Sequence, residues 1–370
     1  RAEFEDLEPV VTDLVNRGLG YGVHVIATAN RWMDARLNVR DMFGSRLELK
    51  LGDPIDSMID RRQAAGVPEQ TPGRGLIAGP FHFLSGVPRI DGRETAADLA
   101  DGVAQLVTAV NQAWPEAPAP KVRMLPAMLP YDDLPVDHER VVIGIAEHDL
   151  QPVHLDFAEE PHLLLFADVR CGKSSFLRVL ASSLMRRYRP DQAQLALVDY
   201  RRSLLGVVPD EYLLSYASNE AGVREMVETA VGAMTRRLPP PDVTPEQLRD
   251  RSWWQGPEVF LLVDDYDLVA TSPHSNPLLP LLDLLTQGRD IGLHLVVTRR
   301  SGGAGRAIFD PVLSRLRDLA SPGILMSGSR EEGPLLGNRR PEQLPPGRGW
   351  LITREEGARL VQLAYLPPAS

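Results

Sequence analysis

Apolar residues arrive along the second half of the chain in short unbroken runs, separated by segments in which they recur at helical spacing. Val141–Ile145, His162–Phe166, Leu195–Val198, Val259–Val263 and Leu293–Val297 read as strands buried on both faces. Between them, Ser174–Tyr188 places Leu177, Leu180, Leu184 and Tyr188 on one helical face. Glu220–Leu238 reads as a second helix and Leu278–Leu285 as a third, short one. Continuous apolar strands alternating with helices predict an α/β fold, a mainly parallel sheet covered by helices. Leu238-Pro239-Pro240-Pro241 and the polar stretch to Gln255 read as a surface loop.

The first hundred residues share signatures with this pattern. Gly18-Leu19-Gly20-Tyr21-Gly22-Val23-His24-Val25-Ile26-Ala27-Thr28 resembles Gly288-Arg289-Asp290-Ile291-Gly292-Leu293-His294-Leu295-Val296-Val297-Thr298, 270 positions on. Pro68-Glu69-Gln70 and Pro72-Gly73-Arg74-Gly75 recur as Pro341-Glu342-Gln343 and Pro346-Gly347-Arg348-Gly349. The repeat predicts equivalent strands ending at Thr28 and Thr298, with His24 and His294 as satisfied groups near buried strands. A long α/β stretch precedes the second copy and very little precedes the first. Residues 1–93 therefore read as the C-terminal part of one module whose phosphate-binding half is absent, and 121–370 as a complete second module. Residues 94–120 join them. Thr95–Trp114 carries Leu99, Val103, Leu106, Val107 and Val110 at helical spacing with Thr95 as N-cap, and Pro115–Pro120 reads as a stiff linker.

Composition narrows the function classes. Hydrophobic residues make up 43% and charged residues 24% of the 370, which argues for packed cores rather than disorder. No apolar run approaches the ~18–20 residues of a membrane span. The single cysteine, Cys171, excludes an internal disulfide and any cysteine-based zinc site. A net charge of −10 disfavours nucleic acid as a partner. Of the 40 basic residues only Lys50, Lys121 and Lys173 are lysines, so each marks a place where arginine does not serve.

Lys173 lies in Ala167-Asp168-Val169-Arg170-Cys171-Gly172-Lys173-Ser174, between a strand and a helix. This is the phosphate-loop pattern G-x-x-x-x-G-K-[ST] with alanine at the first glycine. Asp168, Val169, Arg170, Cys171, Gly172, Lys173, Ser174 and Ser175 are the expected nucleotide cradle. There, backbone N–H groups face phosphates and Lys173 reaches the outer ones. Val259–Val263 ends in Asp264-Asp265, the acid-tipped strand that such a site needs. Ser174 and Asp264 are the expected Mg²⁺ ligands and Asp265 the expected water-orienting carboxylate. Thr298 either senses the terminal phosphate or merely caps its strand; Arg299 and Arg300 are weaker phosphate-reaching candidates. Two features predict slow hydrolysis. Ala167 adds a Cβ where glycine permits unusual φ, and Asp265 is one methylene shorter than glutamate. Cys171, beside a lysine and a helix N-terminus, is either a thiol of lowered pKa or a small filler.

The order of phosphate loop, Asp199 after the second strand, Val259–Asp265, G-x-H-x-x-x-T and PGRG resembles the FtsK/SpoIIIE-type ATPases, with a RecA/FtsK-like P-loop NTPase fold. Gly20–His24, Asn30-Arg31-Trp32, Arg46–Pro54 and Ile59-Asp60-Arg61-Arg62 narrow the resemblance to the second ATPase domain of the EccC-type motors of type VII (ESX) secretion in actinobacteria, and residues 121–370 to their third. The resemblance implies ATP with Mg²⁺ as cofactors and a motor at the cytoplasmic face of the cell membrane. It implies small helical WXG-type substrates docked by a C-terminal export signal, membrane subunits met through an N-terminal region absent here, and a ring of copies such as a hexamer. It also implies that downstream domains often carry degenerate Walker motifs. Two function classes stay open: a slow mechanochemical ATPase, or a nucleotide-locked docking adaptor. FtsK-like DNA translocation is a distant third. Apolar clusters around Leu204 and Leu205, and around Leu278 and Leu279, are candidates for the signal groove, or else pack into the core.

Overall fold

The computed structural model describes residues 7–79, 81–114, 123–271, 275–307 and 309–368. Its contacts divide the chain into two units, Arg1–Pro120 and Lys121–Ser370. The proline-rich stretch expected as a linker lies outside the described residues.

The first unit contains helices α1 (Glu8–Arg17), α2 (Leu37–Arg40), α3 (Arg61–Ala65) and α4 (Leu99–Ala113), and strands β1 (Leu47–Leu49), β2 (Arg74–Ile77) and β3 (Phe81–Leu84). The strands form an antiparallel sheet in the order β1-β2-β3. Its buried apolar cluster is small: Ala64, Val67 and Leu76. Beside it, the buried Glu48 carboxylate accepts from Trp32 Nε1 (2.6 Å), Ser57 Oγ (2.7 Å) and the Met58 N–H (2.7 Å). Those donors offset the cost of burying a charge.

Two expectations fail in this unit. Residues 23–28 form no strand, and His24, Ile26 and Thr28 are exposed. A strand exists only through ladder partners, and among the described residues none lies beside this segment. The helix expected from Thr95 starts at Leu99. Arg89 binds the Thr95 carbonyl and the Asp98 carboxylate, each at 2.7 Å, and so holds residues 95–98 out of helical geometry.

The second unit is a ten-stranded mixed sheet. Its strands are β4 (Val141–Ala146), β5 (Pro152–Leu155), β6 (Leu163–Ala167), β7 (Ala193–Val198), β8 (Leu213–Ala217), β9 (Glu258–Val263), β10 (Leu293–Arg300), β11 (Gly323–Met326), β12 (Arg348–Thr353) and β13 (Gly357–Leu363). They lie in the order β5-β4-β13-β12-β11-β6-β10-β9-β7-β8. From β11 to β8 all neighbours are parallel; from β5 to β11 all are antiparallel. The helices are α5 (Lys173–Arg187), α6 (Glu220–Thr235), α7 (Pro245–Asp250), α8 (Tyr266–Val269), α9 (Leu282–Leu285), α10 (Gly288–Ile291), α11 (Ala304–Ala307) and α12 (Pro311–Asp318). Side chains alternate along each strand, so the sheet has two cores. One contains Leu177, Leu180 and Leu184 of α5 against Leu163, Leu195 and Phe260. The other contains Val223, Leu284 and Leu313 of α6, α9 and α12 against Leu164, Val198 and Leu261.

The segment expected to be loop up to Gln255 contains α7. Thr244 and Gln247 cap it reciprocally, and Pro245 occupies its first turn. Leu213 and Leu214, in a stretch for which no strand is expected, belong to edge strand β8. The repeat survives as structure in its second half. Like β1-β2-β3, β11-β12-β13 is an antiparallel ribbon, and the strands after Gly73 and Gly347 correspond. Both glycines have positive φ, +85° and +77°. Each carbonyl accepts an equivalent bond, from the Ser85 N–H (2.9 Å) and the Leu363 N–H (2.8 Å).

This turn yields a stability prediction. A Cβ at Gly347 would sit 2.5 Å from Gln362 Nε2 and adopt φ +77°. Gly347→Ala should cost about 1–2 kcal/mol in denaturant unfolding. Gly357→Ala, with a similar φ but open space around it, should cost less.

Candidate functional site

The site gathers at the C-terminal ends of β6, β7, β9 and β10, where ligands bind in open α/β sheets. The loop leaves β6 and is held at its base. The Asp168 N–H donates to Ser327 O (2.9 Å), and the Ser301 N–H donates to Ala167 O (3.1 Å). Arg170 (φ +62°) and Gly172 (φ +118°) curl it, as loops that present successive N–H groups to an anion do. The PGRG turn closes under it, with the Gly347 N–H donating to Cys171 O (3.0 Å). Gly172 then opens α5, whose first-turn N–H groups have no carbonyl partners within the helix.

Lys173 is almost buried. Its ammonium donates to Asp168 O (3.3 Å) and lies 3.5 Å from Asp265 Oδ1. The other Asp265 oxygen pairs with Arg201 Nε at 2.6 Å. Burial, and then the neighbouring Asp264, push the Asp265 pKa up, against the pull of Lys173 and Arg201. Asp265 also stands in left-handed backbone (φ +46°) where it begins α8. The next residue explains how this is held. Tyr266 donates to Asp310 Oδ1 (2.6 Å) and accepts from Asn276 Nδ2 (2.5 Å) in a buried network.

Asp264 is 2% exposed and fully engaged. Its Oδ2 accepts from Ser174 Oγ (2.6 Å) and Ser203 Oγ (2.8 Å). Its Oδ1 accepts from Thr298 Oγ1 (2.7 Å) and the Asp265 N–H (3.0 Å). Asp199, wholly buried, accepts from the N–H groups of Ser203 (3.0 Å) and Leu204 (2.7 Å) and from Tyr216 OH (3.0 Å). Burial and that carboxylate push the Tyr216 pKa up to about 12.

The structure thus brings Lys173, Ser174, Asp264, Asp265 and Thr298 together. Ser175 turns away: its hydroxyl donates to Leu366 O (3.3 Å) and accepts from the Leu366 N–H (3.1 Å). Arg299 also points elsewhere, donating to Arg300 O (2.7 Å). His294 is buried against Phe260 and Glu258, away from these strand ends. One premise about the loop changes. Ala167 is an ordinary buried strand residue, and the positive φ values belong to Arg170 and Gly172. Cys171 fits the reading as a small filler: its half-buried side chain packs against the core beneath the loop, and burial raises its thiol pKa. Leu204 and Leu278 are both core residues, and they lie on opposite faces of the sheet. The sequence reading missed Ser203 and Tyr216, whose only signal is their spacing from Asp199.

Ser174 Oγ and Asp264 Oδ2 are hard oxygens 2.6 Å apart at the start of α5, with Ser203 Oγ donating to the same Asp264 oxygen. Among the described residues no group of three or more His, Cys, Asp or Glu side chains could hold a metal. A single carboxylate with hydroxyls suits Mg²⁺, which takes one or two carboxylates and completes its shell with phosphate and water.

The profile of the FtsK/SpoIIIE family matches residues 134–251. The ESX secretion system protein EccC of Thermomonospora curvata is 51% identical over 368 residues, 99% of this chain and 28% of its own length. The ESX-4 secretion system protein EccC4 of Mycobacterium tuberculosis is 44% identical over 373 aligned positions, 100% of this chain and 29% of its own length. The chain therefore spans less than a third of these relatives. A solved structure of T. curvata EccC, ATPases 2 and 3 in complex with a signal sequence peptide, superposes with a TM-score of 0.77 at 50% identity; the match covers 99% of this chain and 66% of that one. With the phosphate loop and acid-tipped strand in one site and the tandem signatures along nearly its whole length, the chain belongs to the FtsK/SpoIIIE family of ATPases, in the EccC group of ESX secretion.

Proposed function

We propose that residues 121–370 bind one ATP with Mg²⁺ and dock secretion substrates, hydrolysing ATP slowly as part of a type VII secretion motor. Residues 1–93, the C-terminal part of a second such module, hold no nucleotide of their own. The observation that carries this reading is the convergence of Lys173, Ser174 and Asp264 at the mouth of a curled loop. Lys173 meets the outer phosphates, and the loop N–H groups and the start of α5 take the rest. Ser174 and Asp264 hold Mg²⁺, which supplies charge neutralisation on the phosphates. Asp265 is the water-orienting carboxylate, but Lys173 and Arg201 both hold it, and it is short. Misplacement by ~1 Å can cost ~100-fold in rate. Thr298 positions Asp264 directly; any contact it makes with phosphate is secondary to that bond.

The relative's complex with a signal sequence peptide supports docking of a signal peptide here as well, and we take that peptide to be a helical C-terminal export signal. Because Leu204 and Leu278 face opposite sides of the sheet, a single groove uses only one of the two clusters. Leu205, 58% exposed, and Leu214, 53% exposed, make the first the better candidate. In the adaptor reading bound ATP serves only as structure, and the module docks substrate and regulates an upstream catalytic domain without meaningful ATP turnover of its own.

Calorimetry of the whole chain should give one ATP site, and Lys173→Ala should abolish binding; retained affinity in that variant overturns the assignment. Wild-type turnover should fall below the ~1–100 s⁻¹ of kinases, and Asp265→Asn should lower it further. A rate within that range would discard the view that Asp265 is compromised, and no measurable turnover would favour the adaptor. In fluorescence titrations with an export-signal peptide, Leu205→Asp should weaken binding while Leu279→Asp does not. The reverse result moves the groove to the other face.

A further inference from the structure

Arg178 lies one turn beyond Ser174 on α5 and is 6% exposed. Residues four apart on a helix share a face, so its guanidinium sits beneath the site described above. Its hydrogen bonds go to two backbone carbonyls, Leu366 O from Nε (2.8 Å) and Ser203 O from Nη1 (3.1 Å). A guanidinium this deep is costly without charge nearby. Burial pulls its pKa down while Tyr365, Asp264 and Asp199 push it up.

The two carbonyls belong to different parts of the fold. Ser203 follows β7. Its hydroxyl lies 3.1 Å from Asp199 Oδ1 and 2.8 Å from Asp264 Oδ2, so its one proton serves either carboxylate. Leu366 follows β13, and Ser175 clamps its N–H and carbonyl on α5. Arg178 is thus a bridge from the segment after β13, through Ser203, to the oxygen of Asp264 that Ser174 also addresses. Ser203 is the donor left to hold that oxygen when the Ser174 hydroxyl turns to a cation.

We propose that Arg178 and Ser203 are positioning residues for the metal-side carboxylate, and that Arg178 couples this carboxylate to the seating of residues 365–366 on α5. The proposal rests on the nucleotide reading above. It differs from a plain packing role in one respect: only the magnesium-dependent part of nucleotide binding should depend on the bridge.

The test is calorimetric titration of the whole chain with ATP, once with Mg²⁺ and once with EDTA. In the wild type, magnesium should tighten binding. Arg178→Gln and Ser203→Ala should each lose roughly tenfold or more of that tightening, the usual cost of removing a group that orients a metal ligand, with metal-free affinity retained. Ser203→Thr keeps the hydroxyl and should keep the tightening. Amide exchange at Leu366 should quicken in Arg178→Gln and not in Ser203→Ala. Full magnesium tightening in Ser203→Ala, equal losses with and without metal, or unchanged exchange at Leu366 in a folded Arg178→Gln chain overturns the bridge. Should Arg178→Gln fail to fold, the Ser203 pair decides. A wild type that binds no ATP under either condition instead overturns the nucleotide reading itself.

Discussion

The buried carboxylate of Asp264 is the constraint on which the second unit turns. Taking an isolated carboxylate out of water costs several kcal/mol even after relaxation, so Asp264 is stable only if donors meet both oxygens. They come from four places: Ser174 at the start of α5, Ser203 after β7, Thr298 in β10 and the backbone of Asp265. Register makes this possible. Val263 is paired with Val198 on one side and Val297 on the other. The next residue on each strand, Asp199, Asp264 and Thr298, therefore forms one row across the sheet at its C-terminal edge. A one-residue slip of β9 would turn Asp264 to the opposite face.

Around that row, fixed charges balance closely. Asp199, Asp264 and Asp265 are faced by Lys173, Arg178 and Arg201, and only Arg201 is mostly exposed. Asp265 is where the balance is least settled. Its backbone is left-handed, burial raises its pKa, and both its oxygens hold cations that a phosphate could also recruit. A carboxylate so committed to two cations has little freedom to meet a further partner. The alanine that departs from the glycine pattern at position 167 lies in a regular strand.

The first unit illustrates the opposite case. It repeats the antiparallel ribbon of the second, down to the positive-φ glycine before its central strand. Yet its apolar cluster is small, and Ile26, Leu47, Leu49 and Phe81 are exposed. Its counterpart of β10 is not a strand at all. The sequence signal in residues 23–28 is a strand signal, but a ladder needs a neighbour, and hydrophobicity alone does not supply one.

By itself the sequence determined the alternation of strands and helices in residues 141–298, the loop and its lysine, the acid-tipped strand, and the family. These are local: unbroken apolar runs, a glycine beside a lysine, and turn residues encode them within a few positions. Only the tertiary structure decided what depends on partners far along the chain. It made edge strands of Pro152–Leu155 and Leu213–Ala217, whose sequences look like connections because one side of each has no ladder. It separated Leu204 from Leu278 by the thickness of the sheet, although both read as apolar clusters beside the same site. It turned Ser175 away from the loop and brought in Ser203, Tyr216 and Arg178, none of which carries a motif. Their roles come from register and from the need of buried charges for donors, and both are settled only when the strands are in place.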